Sequence, residues 1–237
     1  MTEVLQAALV WFNDPANWTG SRGILARTGE HLTMSVLAVL LASLVALPLG
    51  VWLGHRRRGG TLTVLVANAS RALPTFALLL IFASTSLGFG NRPAVLATAI
   101  FAIPPILTNT HTGLLEVDAA ARDAARGMGM TGLRSLAQVE IPLALPMIAA
   151  GLRTAAVQVV ATVTLAALVG GGGLGVYIVV GLGTRRFGEV LAGALLVAAL
   201  CLIAEGVLGL TQRLMTPEAM RRYATGQADP DRSSSRV

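Results

Sequence analysis

The sequence predicts an all-α integral membrane protein with five membrane-crossing helices and one polar helical excursion between the third and fourth. Three observations carry this. Of 237 residues, 54% are hydrophobic and only 13% are charged, with a mean hydropathy of +0.70. That leaves too little polar surface for a soluble domain of this length. Apolar runs of about twenty residues recur along the chain, each long enough to cross hydrocarbon. One stretch between them, Glu116 to Pro142 (EVDAAARDAARGMGMTGLRSLAQVEIP), is polar and rich in alanine. It cannot lie in lipid and must stand out on one face.

Residues 2–13 form a short apolar stretch with Trp11 and Phe12, followed by Asn13-Asp14-Pro15 and Trp18. It lacks the basic start and cleavage site of a signal peptide and reads as an interfacial helix with tryptophans at headgroup level. The first span covers about His31 to Leu53. Its twenty-three residues reach roughly 34 Å at about 1.5 Å each. Pro48 is expected to bend it, and Arg56-Arg57-Arg58 mark its end as cytoplasmic.

The second span covers about Thr61 to Ala83 and carries Asn68, Ser70, Arg71 and Pro74. An arginine in that position should face protein or water. It suits either a translocation path or a structural contact with carbonyls freed near Pro74. Ser86 to Arg92 form a short outer loop, and the third span runs from Pro93 to about Thr110 through Pro104-Pro105.

In the polar stretch, Asp118 to Arg126 are good helix formers, with Asp118 and Arg122 placed as a favourable i,i+4 pair. Gly127 and Gly129 should stop this helix. Thr131 should cap a second one, residues 132–138, closing before Pro142. The fourth span then runs from about Leu143 to Val169 with Arg153, Gln158, Thr162 and Thr164 embedded. Arg153 sits where it could snorkel to the inner interface. Gln158, Thr162 and Thr164 suit either a polar pathway or hydrogen bonds between packed helices. Gly170 to Gly175 read as a mobile or tightly turned outer segment. The last span covers about Gly188 to Leu210, with Glu205 available to an arginine, and a polar tail follows.

The cationic residues test this topology. Arg56–Arg58, Arg122, Arg126, Arg134 and the five arginines from Arg213 onward fall inside. Arg22, Arg27, Arg92, Arg185 and Arg186 fall outside, and Arg71 and Arg153 lie within spans. The bias puts the N-terminus outside and the C-terminus in the cytoplasm.

Other function classes find no support. The net charge of +6 has no aromatic-basic surface of the kind nucleic-acid binding uses. Every basic residue is arginine, so a Walker-type phosphate loop and a Schiff-base lysine are both impossible. Any ATP consumed must be hydrolysed by a partner. Cys201 is the single cysteine, and His31, His55 and His111 lack ligand spacing. Each histidine is expected at an interface or in a loop. No cofactor or metal is called for, and no hydrolase motif occurs.

The polar stretch carries a specific resemblance. Asp123-Ala124-Ala125, three residues, Gly129, nine residues and Val139-Glu140-Ile141-Pro142 are similar to the EAA–x3–G–x9–I–x–LP motif of binding-protein-dependent ABC importer permeases. Asp replaces Glu, Val replaces Ile and Ile replaces Leu. The narrower resemblance is to glycine betaine, choline and osmoprotectant permeases. It rests on Thr28 to Leu32, Gly127 to Thr131, Ile141 to Pro146 and Ala166 to Gly175.

The resemblance implies a bacterial cytoplasmic-membrane permease domain, residues 31–210, flanked by an N-terminal segment 1–30 and a cytoplasmic tail 211–237. It implies two ATP-binding subunits, a second permease copy or sister subunit, and an extracytoplasmic substrate-binding protein as partners. The stretch 116–142 becomes the coupling element, with Asp123, Ala124, Ala125 and Gly129 as its core and Arg122, Arg126 and Met128 beside them. Arg71, Gln158 and Thr162 are the candidate pathway residues. Two alternatives stay open: a permease of this class for methionine or another amino acid, and an ATP-independent secondary transporter.

Overall fold

The computed structural model describes residues 2–61, 63, 65, 67, 69 and 74–215. Among these, all regular structure is helical. Helix α1 (Thr2–Asn13) leads through a short 3-10 turn, capped by Asp14, to α2 (Ile24–His55). After α3 (Thr75–Ala83) come α4 (Asn91–Leu115), α5 (Ala119–Gly127) and α6 (Gly132–Ser135). A π-helical turn (Leu136–Glu140) then leads into α7 (Ile141–Thr162), which passes into a 3-10 segment (Val163–Val169). Helices α8 (Gly175–Gly183) and α9 (Phe187–Met215) complete the described chain.

Among the described residues, four helical stretches are long and apolar enough to cross a membrane: 24–55, 91–115, 132–169 and 187–213. The expected second crossing, Thr61 to Ala83, is not one continuous helix. Pro74 has extended backbone (φ −69°, ψ 116°), and a new helix starts at Thr75. Proline lacks the N–H that an α-helical ladder needs, so the ladder restarts after it. Residues 60, 61, 63, 65, 67 and 69 are helical. Asn68, Ser70 and Arg71 lie outside the described residues.

The core is built on small side chains. Helix α2 buries Ala38, Ala42, Ala46, Gly50 and Gly54, one every four residues. Helix α4 buries Ala94, Thr98, Ala102, Ile106, Thr110 and Leu114 at the same step. Two such stripes let ridges interdigitate at close range. A Cβ on Gly54 would sit 2.6 Å from Cβ of Leu114 and 3.1 Å from the His111 carbonyl oxygen. Helix α4 also packs along α7, and α7 packs on α9. The apolar cluster from Met34 to Val169 draws on α2, α3, α4, α7 and the 3-10 segment.

Several boundaries differ from expectation. Helix α2 begins at Ile24, so Glu30 and His31 are helical, and Asn91 and Arg92 belong to α4 instead of a loop. Pro48, Pro104 and Pro105 are all accommodated inside helices. The Asn109 side-chain amide donates to the Pro105 carbonyl at 2.8 Å. Helix α8 had no counterpart in the sequence reading.

The glycine-rich segment is tightly turned. Gly171 N–H donates to the Ala166 carbonyl at 2.9 Å, Gly172 N–H to Asn91 Oδ1 at 2.7 Å, Gly173 N–H to Glu30 Oε2 at 2.9 Å and Leu174 N–H to His31 Nδ1 at 3.3 Å. Four consecutive amides are thus held, two of them by adjacent residues of α2. A side chain on Gly172 would collide with the Glu30 carboxylate. His31 is fully buried and also donates through Nε2 to the Val160 carbonyl at 2.8 Å. It is a core residue of α2 and not an interface residue. His111 is likewise buried, its Nε2 lying 3.1 Å from the Arg58 carbonyl oxygen.

Candidate functional site

The polar stretch hangs from the ends of α4 and α7 as a compact hairpin. Its first helix starts where Asp118 Oδ1 accepts the Ala120 N–H at 3.0 Å, an N-cap. Asp118 is therefore committed to the backbone and does not form the expected i,i+4 pair with Arg122. Arg122 instead turns inward, 6% exposed, and donates to the Leu114 carbonyl at the end of α4. Burial and the nearby Arg57 charge pull its pKa down, while Glu140 opposes that shift.

The end of α5 is a Schellman turn. Gly129 N–H donates to the Arg126 carbonyl at 2.9 Å and Met130 N–H to the Ala125 carbonyl at 3.1 Å. Gly129 takes the left-handed position with φ +76°. Gly127, expected to share the stop, remains within α5. Thr131 Oγ1 accepts the Arg134 N–H at 3.4 Å and starts α6.

The second helix does not close before Pro142. The Ile141 N–H reaches back five residues to the Leu136 carbonyl, and α7 follows without a break. Pro142 lies in the first turn of α7, where its missing N–H is tolerated. The π turn absorbs the change of register between the two helices.

These constraints sort the candidate residues by direction. Asp123, Ala124, Arg126, Met128 and Gly129 are exposed, whereas Ala125, 1% exposed, and Arg122 face the protein body. Arg126 and Asp123 pair at 3.5 Å, but both are so exposed that the pair contributes little. Met128 (70% exposed) and Leu133 (79% exposed) stand on either side of the Gly129 turn. Leu133 was missed in the sequence. Its exposure depends on the phase set by the Thr131 cap, which residue type does not reveal.

Glu140 is the polar hub beneath the hairpin. Its Oε2 accepts from His55 Nδ1 at 2.9 Å and lies 4.0 Å from Arg122 Nε. Its Oε1 accepts from Ser135 Oγ at 3.2 Å. Arg57 donates to the Leu115 carbonyl at 3.1 Å, a second tie from the end of α2.

Of the pathway candidates, Gln158 and Thr162 lie among the described residues. Gln158 borders a cavity of about 250 Å3 with Phe101, Pro104, Pro105, Thr108, Asn109 and Thr154. Thr162 donates to the Gln158 carbonyl at 2.7 Å, and Thr164 to that of Ala161 at 2.7 Å. Both hydroxyls are thus satisfied within their own segment. Arg71 lies outside the described residues. Arg153 is not an isolated snorkelling cation: it forms an ion pair with Glu205 and donates to Gln212 Oε1 at 3.2 Å, joining α7 to α9.

Known proteins agree with this architecture. Residues 46–217 match the family described as the binding-protein-dependent transport system inner membrane component. The glycine betaine/carnitine/choline transport system permease protein OpuCB of Bacillus subtilis is 39% identical over 203 residues, covering 86% of this chain and 93% of the relative. The choline transport system permease protein OpuBB of the same organism is 38% identical, covering 86% and 94%. The osmoprotectant import permease protein OsmW of Salmonella typhimurium is 35% identical, covering 82% and 92%. An inward-facing structure of the MetNI methionine ABC transporter superposes with a TM-score of 0.70 at 22% identity, covering 82% of this chain and 96% of that one. This last likeness concerns the fold. The chain therefore belongs to the family of inner-membrane components of binding-protein-dependent transport systems, and it is a multi-pass protein of the bacterial inner membrane.

Proposed function

We propose that the chain is the transmembrane subunit of an ATP-driven importer for compatible solutes of the quaternary ammonium class, such as glycine betaine or choline. The solute class comes from the curated relatives, which are named as glycine betaine, carnitine, choline or osmoprotectant permeases. The observation that carries the coupling role is the α5–Gly129–α6 hairpin. It is capped at both starts, closed by a Schellman turn and continuous with α7 through the π turn, so its motion can be passed to the span.

Residues 31–210 form the permease domain in this reading, with residues 61–83 supplying a fifth crossing, the N-terminus outside and the hairpin in the cytoplasm. Residues 1–30 lie on the outer side, and 211–237 form a cytoplasmic tail. Two such subunits, or one with a sister, would sit on two ATP-binding partners and receive solute from an extracytoplasmic binding protein. Asp123, Ala124, Arg126, Met128, Gly129 and Leu133 face the ATPase, while Arg122 and Ala125 hold the hairpin to the spans. Closure of the ATPases on ATP would favour one orientation of the hairpin and so shift the spans between inward- and outward-facing states. The shift is limited to the difference in ATP binding between the two states. ATP hydrolysis belongs to the partners, and the permease contributes the path.

Gln158 and the neighbouring cavity are assigned to the path, with Thr162 and Arg71 as further candidates. The chain is poor in aromatic residues, at 5%. A quaternary ammonium cage needs aromatics, so selection is assigned to the binding protein. The test is uptake of labelled solute into vesicles containing permease, ATPase and binding protein. Uptake of betaine or choline that requires ATP supports the proposal, and ATP-independent uptake overturns it.

A further inference from the structure

We infer that Glu140 is the pin of a joint that transmits hairpin motion to the spans. The inference rests on the coupling role proposed above. In the motif that the hairpin resembles, the position held by Glu140 is unspecified, and nothing in the apolar pattern of α7 calls for a charge there.

Two independent features meet at this residue. The first is the π turn Leu136–Glu140, which links the hairpin to α7 and ends on Glu140 itself. Such turns are rare and recur at functional sites. The second is burial. Glu140 is 3% exposed, yet its two oxygens meet donors from other elements: His55 at the end of α2 and Ser135 at the end of α6, with the Arg122 guanidinium of α5 beside them. One carboxylate thus gathers α2, α5, α6 and α7.

Apolar packing alone gives the hairpin little purchase. The buried apolar residues of its first half are Val117, which precedes α5, and Ala125, and the one buried methyl group on α5 itself cannot fix a helix azimuth. Polar contacts supply the hold: hydrogen bonds from His55 and Ser135 fix the Glu140 carboxylate, and the Arg122 guanidinium of α5 lies against it with Nε 4.0 Å from Oε2. Arg122 adds a second directional hold through the Leu114 carbonyl. A push on the exposed surface of α5 therefore reaches α2 and α7 through Glu140, and the π turn supplies the place where the backbone can change register.

The experiment reconstitutes permease variants with the ATPase and binding protein and measures solute imported per ATP hydrolysed. Glu140→Ala and His55→Ala are run side by side. Both should lower that ratio by about fivefold or more, the lower end of typical coupling between sites, with the ATPase still bound. A merely structural residue would reduce the amount of active complex and leave the ratio unchanged. His55 is partly exposed, so its variant decides the matter if Glu140→Ala does not assemble. A wild-type ratio in any assembled variant of the pair overturns the pin. Gly129→Asp, at the exposed turn, separates the two levels. If it impairs transport while the Glu140 and His55 variants do not, only the pin is wrong. If it also imports normally, the coupling role falls, and the pin with it.

Discussion

Replacing Gly54 with alanine tests whether the close approach of α2 and α4 positions the hairpin. The added Cβ would lie 2.6 Å from Cβ of Leu114, whereas carbon atoms rest at about 3.5–4.0 Å. Relief requires the two helix ends to part by roughly 1 Å, and overpacking of this kind costs about 1–3 kcal/mol. Alanine in a helix also recovers about 1 kcal/mol relative to glycine, so a second substitution must cancel that gain. Gly29 lies in the same helix and has nothing within 4 Å of its would-be Cβ. The difference between Gly54→Ala and Gly29→Ala therefore isolates the clash, at about 1–3 kcal/mol. For a chain of this size that corresponds to a Tm gap of about 2–12 °C. The Arg57–Leu115 and His111–Arg58 hydrogen bonds, both 3.1 Å, cross from the end of α2 to α4 and would be stretched as well. Thermal melts of the two purified variants in the same lipid nanodiscs read the gap directly. A Gly54→Ala protein that melts at or above Gly29→Ala would refute the close approach.

Three other outcomes follow from the same geometry. Ala124→Arg places bulk on the exposed face of α5 and should block association with the ATPase while leaving the permease folded; Ala125→Arg, one residue on, drives a cation into a buried position and should unfold the hairpin. Pull-down of the ATPase together with limited proteolysis of the hairpin separates the two, and equal behaviour would contradict the assigned azimuth. Asp118→Ala removes the N-cap of α5 at about 1 kcal/mol, so amide exchange at residues 119–122 should accelerate by about fivefold, and unchanged exchange would show that the cap is idle. Arg153→Met or Glu205→Met alone leaves one charge of the α7–α9 pair without its partner and should lower Tm more than the double variant does. Additive losses would mean that the two side chains do not interact.

The polar hairpin was largely legible because its signals are local. Gly129 and Thr131 each act on backbone within a few residues, and each stops or caps where its chemistry dictates; Asp118, read as a partner of Arg122, caps α5 instead. What was not legible depends on partners far along the chain. Glu140 meets His55 across 85 residues and His31 meets Val160 across 129, and no periodicity announces such pairs. Arg122 was read as the i,i+4 partner of Asp118; the Leu114 carbonyl and the Glu140 carboxylate draw it inward instead. The break at Pro74 was underestimated, since a long apolar run hides a missing N–H. The closing of the second short helix at Pro142 was overestimated, since a π turn can carry a helix into a proline. The four-residue stripe of Ala38, Ala42, Ala46, Gly50 and Gly54 lay open in the sequence and is the clearest unread signal. It predicts which face of α2 meets another helix.

ATP-dependent uptake remains the most direct measurement of the central proposal. Vesicles holding this chain, its ATPase and its binding protein would be offered labelled glycine betaine, choline and methionine, with wild-type and Gly129→Asp permease in parallel. The proposed coupling predicts ATP-requiring uptake of betaine or choline by the wild type and loss of that uptake in Gly129→Asp. Uptake confined to methionine would contradict the solute class. Uptake that persists without ATP, or that Gly129→Asp leaves untouched, would contradict the coupling role of the hairpin.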